Sequence, residues 1–153
     1  MIPAPFDYEV VGSVEEAIEL LGSREDAKLL AGGHSLLPAM KLRLARPALL
    51  VDIGRLSQLR YVREEAGAIA IGALARHHDL ATSPLLAQRC PILARAAAQV
   101  GDPQVRHRGT IGGWVSHGDP ASDLPTVLLA LEAELVAQGP GGERAVSASD
   151  FFQ

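Results

Sequence analysis

The sequence predicts an α/β (α+β) fold in two parts: a small β-α-β-α-β unit over residues 1–55, then an antiparallel sheet with flanking helices over residues 56–153. Three observations carry this expectation. In the first part, short apolar runs alternate with a capped helical stretch and a glycine-led one. In the second, LRYVRE and GAIAIGA flank a Glu-Ala-Gly turn in the manner of a hairpin. A further pair of alternating runs, in ELVAQGPGGERAVSA, closes the chain around a Gly/Pro turn.

Taken in order, DYEVV reads as a short strand, and GSVEEAIELLG as a complete helix. Ser13 with Glu16 three residues on has the pattern of a capping box, and Gly22 is suited to end the helix. Val14, Ala17, Ile18 and Leu21 then share one face. AKLLA is too short for a helix and apolar enough for a buried strand. After the glycines, Ser35 stands where it can cap a second helix, with Pro38 in the first turn, where a missing N–H does no harm. That helix stops before Pro47, and ALLVDI returns as a strand. Beyond the hairpin, short helices are expected at HHDLAT, PLLAQR and PILARAAAQV, and another at ASDLPTVLLALEA.

Composition narrows the function. A chain of 153 residues is long enough to bury a core. Its net charge is −4 with scattered basic residues, so no basic stripe points to nucleic acid. No apolar run approaches the roughly 20 residues that cross a bilayer, and MIPAPFDYEV lacks the basic and apolar regions of a signal peptide, so a cytoplasmic location is expected. The single cysteine, Cys90, cannot hold an iron–sulfur cluster, which takes about four cysteine ligands. Any redox metal belongs to a partner.

Two glycine segments stand out. In AGGHSLLPAMKLRLARP, residues 31–47, Gly32 and Gly33 lead into a helix start, which suits either a plain strand-to-helix turn or a cradle for an anionic oxygen. In RHRGTIGGWVSHGDPASDLP, residues 106–125, Thr110 supplies a hydroxyl, Gly112 and Gly113 allow close backbone approach, and Ser122 or Asp123 begins a helix. Two such segments in one small domain suit a diphosphate held from both sides.

On these residues the chain resembles the FAD-binding medium subunit of molybdenum hydroxylases, the carbon monoxide dehydrogenase and xanthine dehydrogenase group. The start MIPAPFDYEV, the first glycine segment, LVDIGRL, and DPQVRHRGTIGG continuing to HGDPASDLP match that family in order and spacing. The resemblance implies that Ala31, Gly32, Gly33, His34 and Ser35, with Thr110, Ile111, Gly112 and Gly113, bind the pyrophosphate of FAD. It implies that Asp123 binds the ribose or adenine portion. It also implies electron transfer: a molybdopterin large subunit oxidises substrate, a [2Fe-2S] small subunit relays the electrons, and the FAD here passes them to an acceptor. No residue of this chain is then needed as an acid or base.

Two departures bear on this. Trp114 stands where the family usually has asparagine or a small residue, and an indole there either stacks on a ring of the cofactor or blocks the segment. The second part also reads as incomplete beside the family, whose C-terminal domain has no counterpart before Gln153. That leaves an alternative, a truncated binding or scaffold module without a competent flavin. An unrelated nucleotide-binding module is a third reading. Among other constellations, His77 and His78 are neighbours whose side chains diverge, which disfavours joint chelation of a metal. His117 and Asp119 fall in the second glycine segment. Arg106 and Arg108 either neutralise a diphosphate or solvate a turn.

Overall fold

The computed structural model describes residues 1–152; Gln153 lies outside the described residues. The first part holds strand β1 (Asp7–Val10), helix α1 (Val14–Ser23), strand β2 (Ala27–Leu30), helix α2 (Leu36–Lys41) and strand β3 (Leu49–Asp52). The strands form a parallel sheet in the order β1-β3-β2. Leu49 of β3 stands between Asp7 and Ala27, and Val51 between Glu9 and Leu29. Centrality explains the apolar run: Leu49, Leu50 and Val51 are fully buried. The expectation of a buried strand at AKLLA is corrected here, because β2 lies at the edge and Lys28 and Leu29 are exposed.

Helix α1 begins as read. The Ser13 hydroxyl accepts from the Glu16 N–H at 3.1 Å, and the Glu16 carboxylate reaches back to the Gly12 N–H at 2.7 Å. Gly22 does not end it; the helix continues through Ser23. Ala17 seats the helix on β3 through a cluster with Val11, Ala27, Leu49, Val51 and Ile53.

The second part opens with a hairpin of strands β4 (Val62–Glu65) and β5 (Ala68–Ile71). Its two turn residues, Ala66 and Gly67, both have positive φ, which matches the twist of the flanking strands. Six helices follow: α3 (His77–Ala81), α4 (Pro84–Arg89), α5 (Pro91–Gln99), α6 (Pro103–Arg106), α7 (Ile111–His117) and α8 (Asp123–Ala130). A second hairpin, β6 (Glu134–Gly139) with β7 (Gly142–Ser147), and helix α9 (Ala148–Phe151) complete the described chain. The antiparallel part is thus two separate hairpins among the described residues. Its core is a second apolar cluster centred on Leu80, Leu86, Leu93, Ala97, Leu124 and Leu128. Cys90 is half-buried between α4 and α5 and packs against that cluster. Leu56 and Leu74, from the second part, insert into the first cluster and join the two layers.

Candidate functional site

Both glycine segments lie at the junction of these layers. The first follows the carboxyl end of β2, where parallel sheets commonly place ligands. Gly33 has φ +78, a left-handed conformation that turns the chain out of the strand. Its carbonyl accepts from the Leu37 N–H at 3.0 Å and starts α2. Ser35 therefore does not cap with its side chain: its backbone is already helical and its hydroxyl makes no capping bond. Among the described residues, the N–H groups of Gly33, His34 and Ser35 donate to no carbonyl or side chain. Three successive free donors form a backbone nest suited to an anion.

The second segment is a helix, not a loop. Thr110 is its N-cap, and the buried hydroxyl accepts from the Gly113 N–H at 3.2 Å. The Ile111 N–H donates to Ala75 O, the Gly112 N–H to Ala73 O, and the Trp114 N–H to Thr110 O. All four donors from Ile111 to Trp114 are therefore used within the chain. The expectation that Gly112 leaves room for a ligand is corrected likewise. A Cβ there would stand 2.6 Å from Ala73 Cβ and 2.7 Å from its carbonyl oxygen, so the missing side chain serves internal packing.

Gly32 serves the same purpose between the segments. A Cβ on it would meet the Arg108 carbonyl oxygen at 2.3 Å, which places the two glycine segments backbone to backbone. Under this seam lies His77, fully buried, its N–H donating to Gly109 O at 3.1 Å. Neither ring nitrogen has a partner among the described residues. Burial, with a smaller contribution from His34, depresses the imidazole to about 4, so the ring is neutral at physiological pH. Its ring meets the Trp114 indole edge-on at 4.5 Å. Trp114 also packs against the second core cluster, a third placement beside the stacking and blocking expected from sequence. His78 turns the other way and stacks on His107 at 4.0 Å.

Beside the seam opens a cleft of about 310 Å³. The first glycine segment contributes Ala31 and the second Arg108 and Thr110, and Arg55, Arg60 and Arg76 line the rest with the turn after β3. Arg60 pairs in bidentate fashion with Asp79, both contacts at 2.9 Å. Burial alone would raise the Asp79 carboxyl, but Arg60 and the Arg76 N–H outweigh it and hold the group below its usual range. Asp52 is occupied by the Tyr8 hydroxyl and the Gly54 N–H. Arg106, by contrast, donates to Val100 O and Gly101 O and so ties a turn. Asp123 is exposed at the start of α8, after Ser122. The sequence reading did not include the cleft-lining Arg55, Arg60 and Arg76; their separation along the chain hides their convergence.

Comparison with known proteins decides the family. The family described as "FAD binding domain in molybdopterin dehydrogenase" matches residues 4–153. This chain belongs to that family. It is 53% identical over 153 residues to the carbon monoxide dehydrogenase medium chain of Hydrogenophaga pseudoflava, covering 99% of this chain and 53% of the relative. It is 42% identical to the glyceraldehyde dehydrogenase medium chain of Sulfolobus acidocaldarius, covering 100% and 54%. Among solved structures, carbon monoxide dehydrogenase from Hydrogenophaga pseudoflava, in a form lacking the Mo-pyranopterin moiety, superposes with a TM-score of 0.97 at 53% identity. That match covers 100% of this chain and 54% of that one. Quinoline 2-oxidoreductase from Pseudomonas putida 86 superposes at 0.95 with 37% identity, covering 98% and 53%. The chain spans about half the length of the curated relatives it matches. No helix among the described residues is long and apolar enough to cross a membrane.

Proposed function

We propose that this domain binds FAD and serves as the flavin-carrying part of a molybdenum hydroxylase. In that assembly it takes electrons from a [2Fe-2S] small subunit, which receives them from a molybdopterin large subunit, and passes them to an external acceptor. The observation that carries this reading is the nest of free N–H groups at Gly33, His34 and Ser35, pressed by Gly32 against the segment leading to Thr110. The family match supports it, since it spans both segments, and for that reason we prefer it to the scaffold reading.

In this reading Ala31 to Ser35 hold the diphosphate through backbone donors, and Thr110 closes the opposite side. Ile111, Gly112, Gly113 and Trp114 form the wall behind it, and Asp123 accepts from a ribose hydroxyl. Residues 1–55 and 56–153 are the two subdomains that grip the cofactor, a division supported by the two apolar clusters. Bound flavin supplies the capacity to accept electrons and release them; the protein supplies position and electrostatics. We also propose that the complex works in the cytoplasm.

Titration of the purified chain with FAD and FMN tests the reading. FAD is expected to bind more tightly, because FMN lacks the diphosphate. Equal affinities, or a chain that takes up no flavin, would count against it. Trp114 is an internal reporter: its fluorescence should change on titration through its contact with the seam.

A further inference from the structure

The two glycine segments supply unequal numbers of donors, and the cleft beside them has a charge surplus. Asp and Glu outnumber Lys and Arg in the whole chain, 18 to 14, yet four arginines line this one opening. Among the described residues, only Arg60 of the four has a carboxylate partner. Asp52 and Asp79 are the carboxylates at hand, which leaves a surplus of two positive charges. Among the described residues, the side chains of Arg55, Arg76 and Arg108 make no ion pair. A cluster of like charges without counter-ions repels itself, and a ligand of opposite sign relieves it. A planar fork of donors matches phosphate oxygens in bidentate geometry.

We infer that Arg55, Arg76 and Arg108 form a phosphate site, and that its occupant is the diphosphate of the dinucleotide. This rests on the FAD reading above and gives it a source of countercharge. The second glycine segment uses its own N–H groups internally, so its side of the site answers the ligand with arginine. Arg108 is placed for this by the same backbone contact that joins the segments, since its carbonyl abuts Gly32. Arg76 is held by the bond from its N–H to Asp79 at 3.0 Å. A ligand charge of about −2, that of a dinucleotide's two phosphates, balances the surplus.

The test is calorimetric titration of the 153-residue chain with inorganic pyrophosphate and with FAD, at low and at physiological salt. Arg55→Gln, Arg76→Gln and Arg108→Gln are each expected to weaken both probes by roughly tenfold. The variants should also flatten the loss of affinity with salt. Arg108→Lys keeps the charge but not the fork and should fall between. Because Arg55 and Arg108 are exposed, their variants retain the fold, which circular dichroism checks. Pyrophosphate that competes with FAD supports the assignment. Pyrophosphate that binds on top of saturating FAD with the same arginine dependence overturns the choice of occupant and assigns the cleft to a separate phosphate-bearing molecule. FAD and pyrophosphate affinities unmoved by all three substitutions overturn the site while leaving the FAD reading intact. An arginine-dependent pyrophosphate site in a chain that takes up no FAD overturns that reading instead, and a chain that binds neither probe overturns both.

Discussion

Residues 31–35 and 110–114 look alike in sequence, each a glycine pair beside a small hydroxyl residue, but they meet opposite fates. In the first, a left-handed Gly33 frees three backbone donors. In the second, every donor from Ile111 to Trp114 is used within the chain, two of them by Ala75 and Ala73, and Gly112 packs against Ala73. The lesson is that glycine marks close approach without saying what approaches. Gly33 leaves donors free, whereas Gly32 and Gly112 are joints where one stretch of backbone meets another.

The strongest way to break this comparison is Gly32→Val. With the Arg108 carbonyl 2.3 Å from the new Cβ, the backbones must part. Loss of more than about 3 kcal/mol in denaturant unfolding, together with FAD binding, is expected. Full retention of either would show that the segments are not packed as described.

Next comes pH. His77 has its folded pKa depressed to about 4 from 6.5, so the unfolded chain binds its proton first as pH falls. Its contribution is complete above pH 6.5 and is lost between there and pH 4, by about 3 kcal/mol at the acid end. A His77→Leu variant should lack this acid slope in unfolding curves measured across the window.

Gly112→Ala sharpens the contrast between the segments. It should cost on the order of 2 kcal/mol of stability through its clash with Ala73, while molecules that stay folded bind FAD with unchanged affinity. Weakened binding by folded protein would return Gly112 to direct ligand contact. Thr110→Val removes the acceptor for the Gly113 N–H and should lower the unfolding free energy by about 1 kcal/mol. The smallest change is a gain. Gly22 sits inside α1 with nothing near its missing side chain, so Gly22→Ala should add roughly 0.5–1 kcal/mol and leave flavin affinity untouched.

Local chemistry was legible and convergence was not. Ser13 and Glu16 announce a helix start, and Ala66 with Gly67 a hairpin, because the residues that act are neighbours in the chain. Helix α7 could not be read from IGGW: each interior glycine disfavours a helix by about 1 kcal/mol, and the turn forms because Ala73 and Ala75 accept its first donors. The middle place of β3 was likewise hidden, since a strand's apolar run does not say which strands flank it. At the site, the glycines were found by type. His77 was noticed only as half of an adjacent pair, and the arginine cleft draws on residues spread from 55 to 108.

The order β1-β3-β2 has a consequence for the time at which this domain comes into being. Both outer strands pair with β3 alone, and β3 is the last of the three in the chain. As the polypeptide leaves the ribosome, β1 and β2 wait without a strand neighbour until residues 49–52 arrive. Arrival of that tetrapeptide closes both pairings in one event, and the glycine turn after β2 takes shape at the same moment.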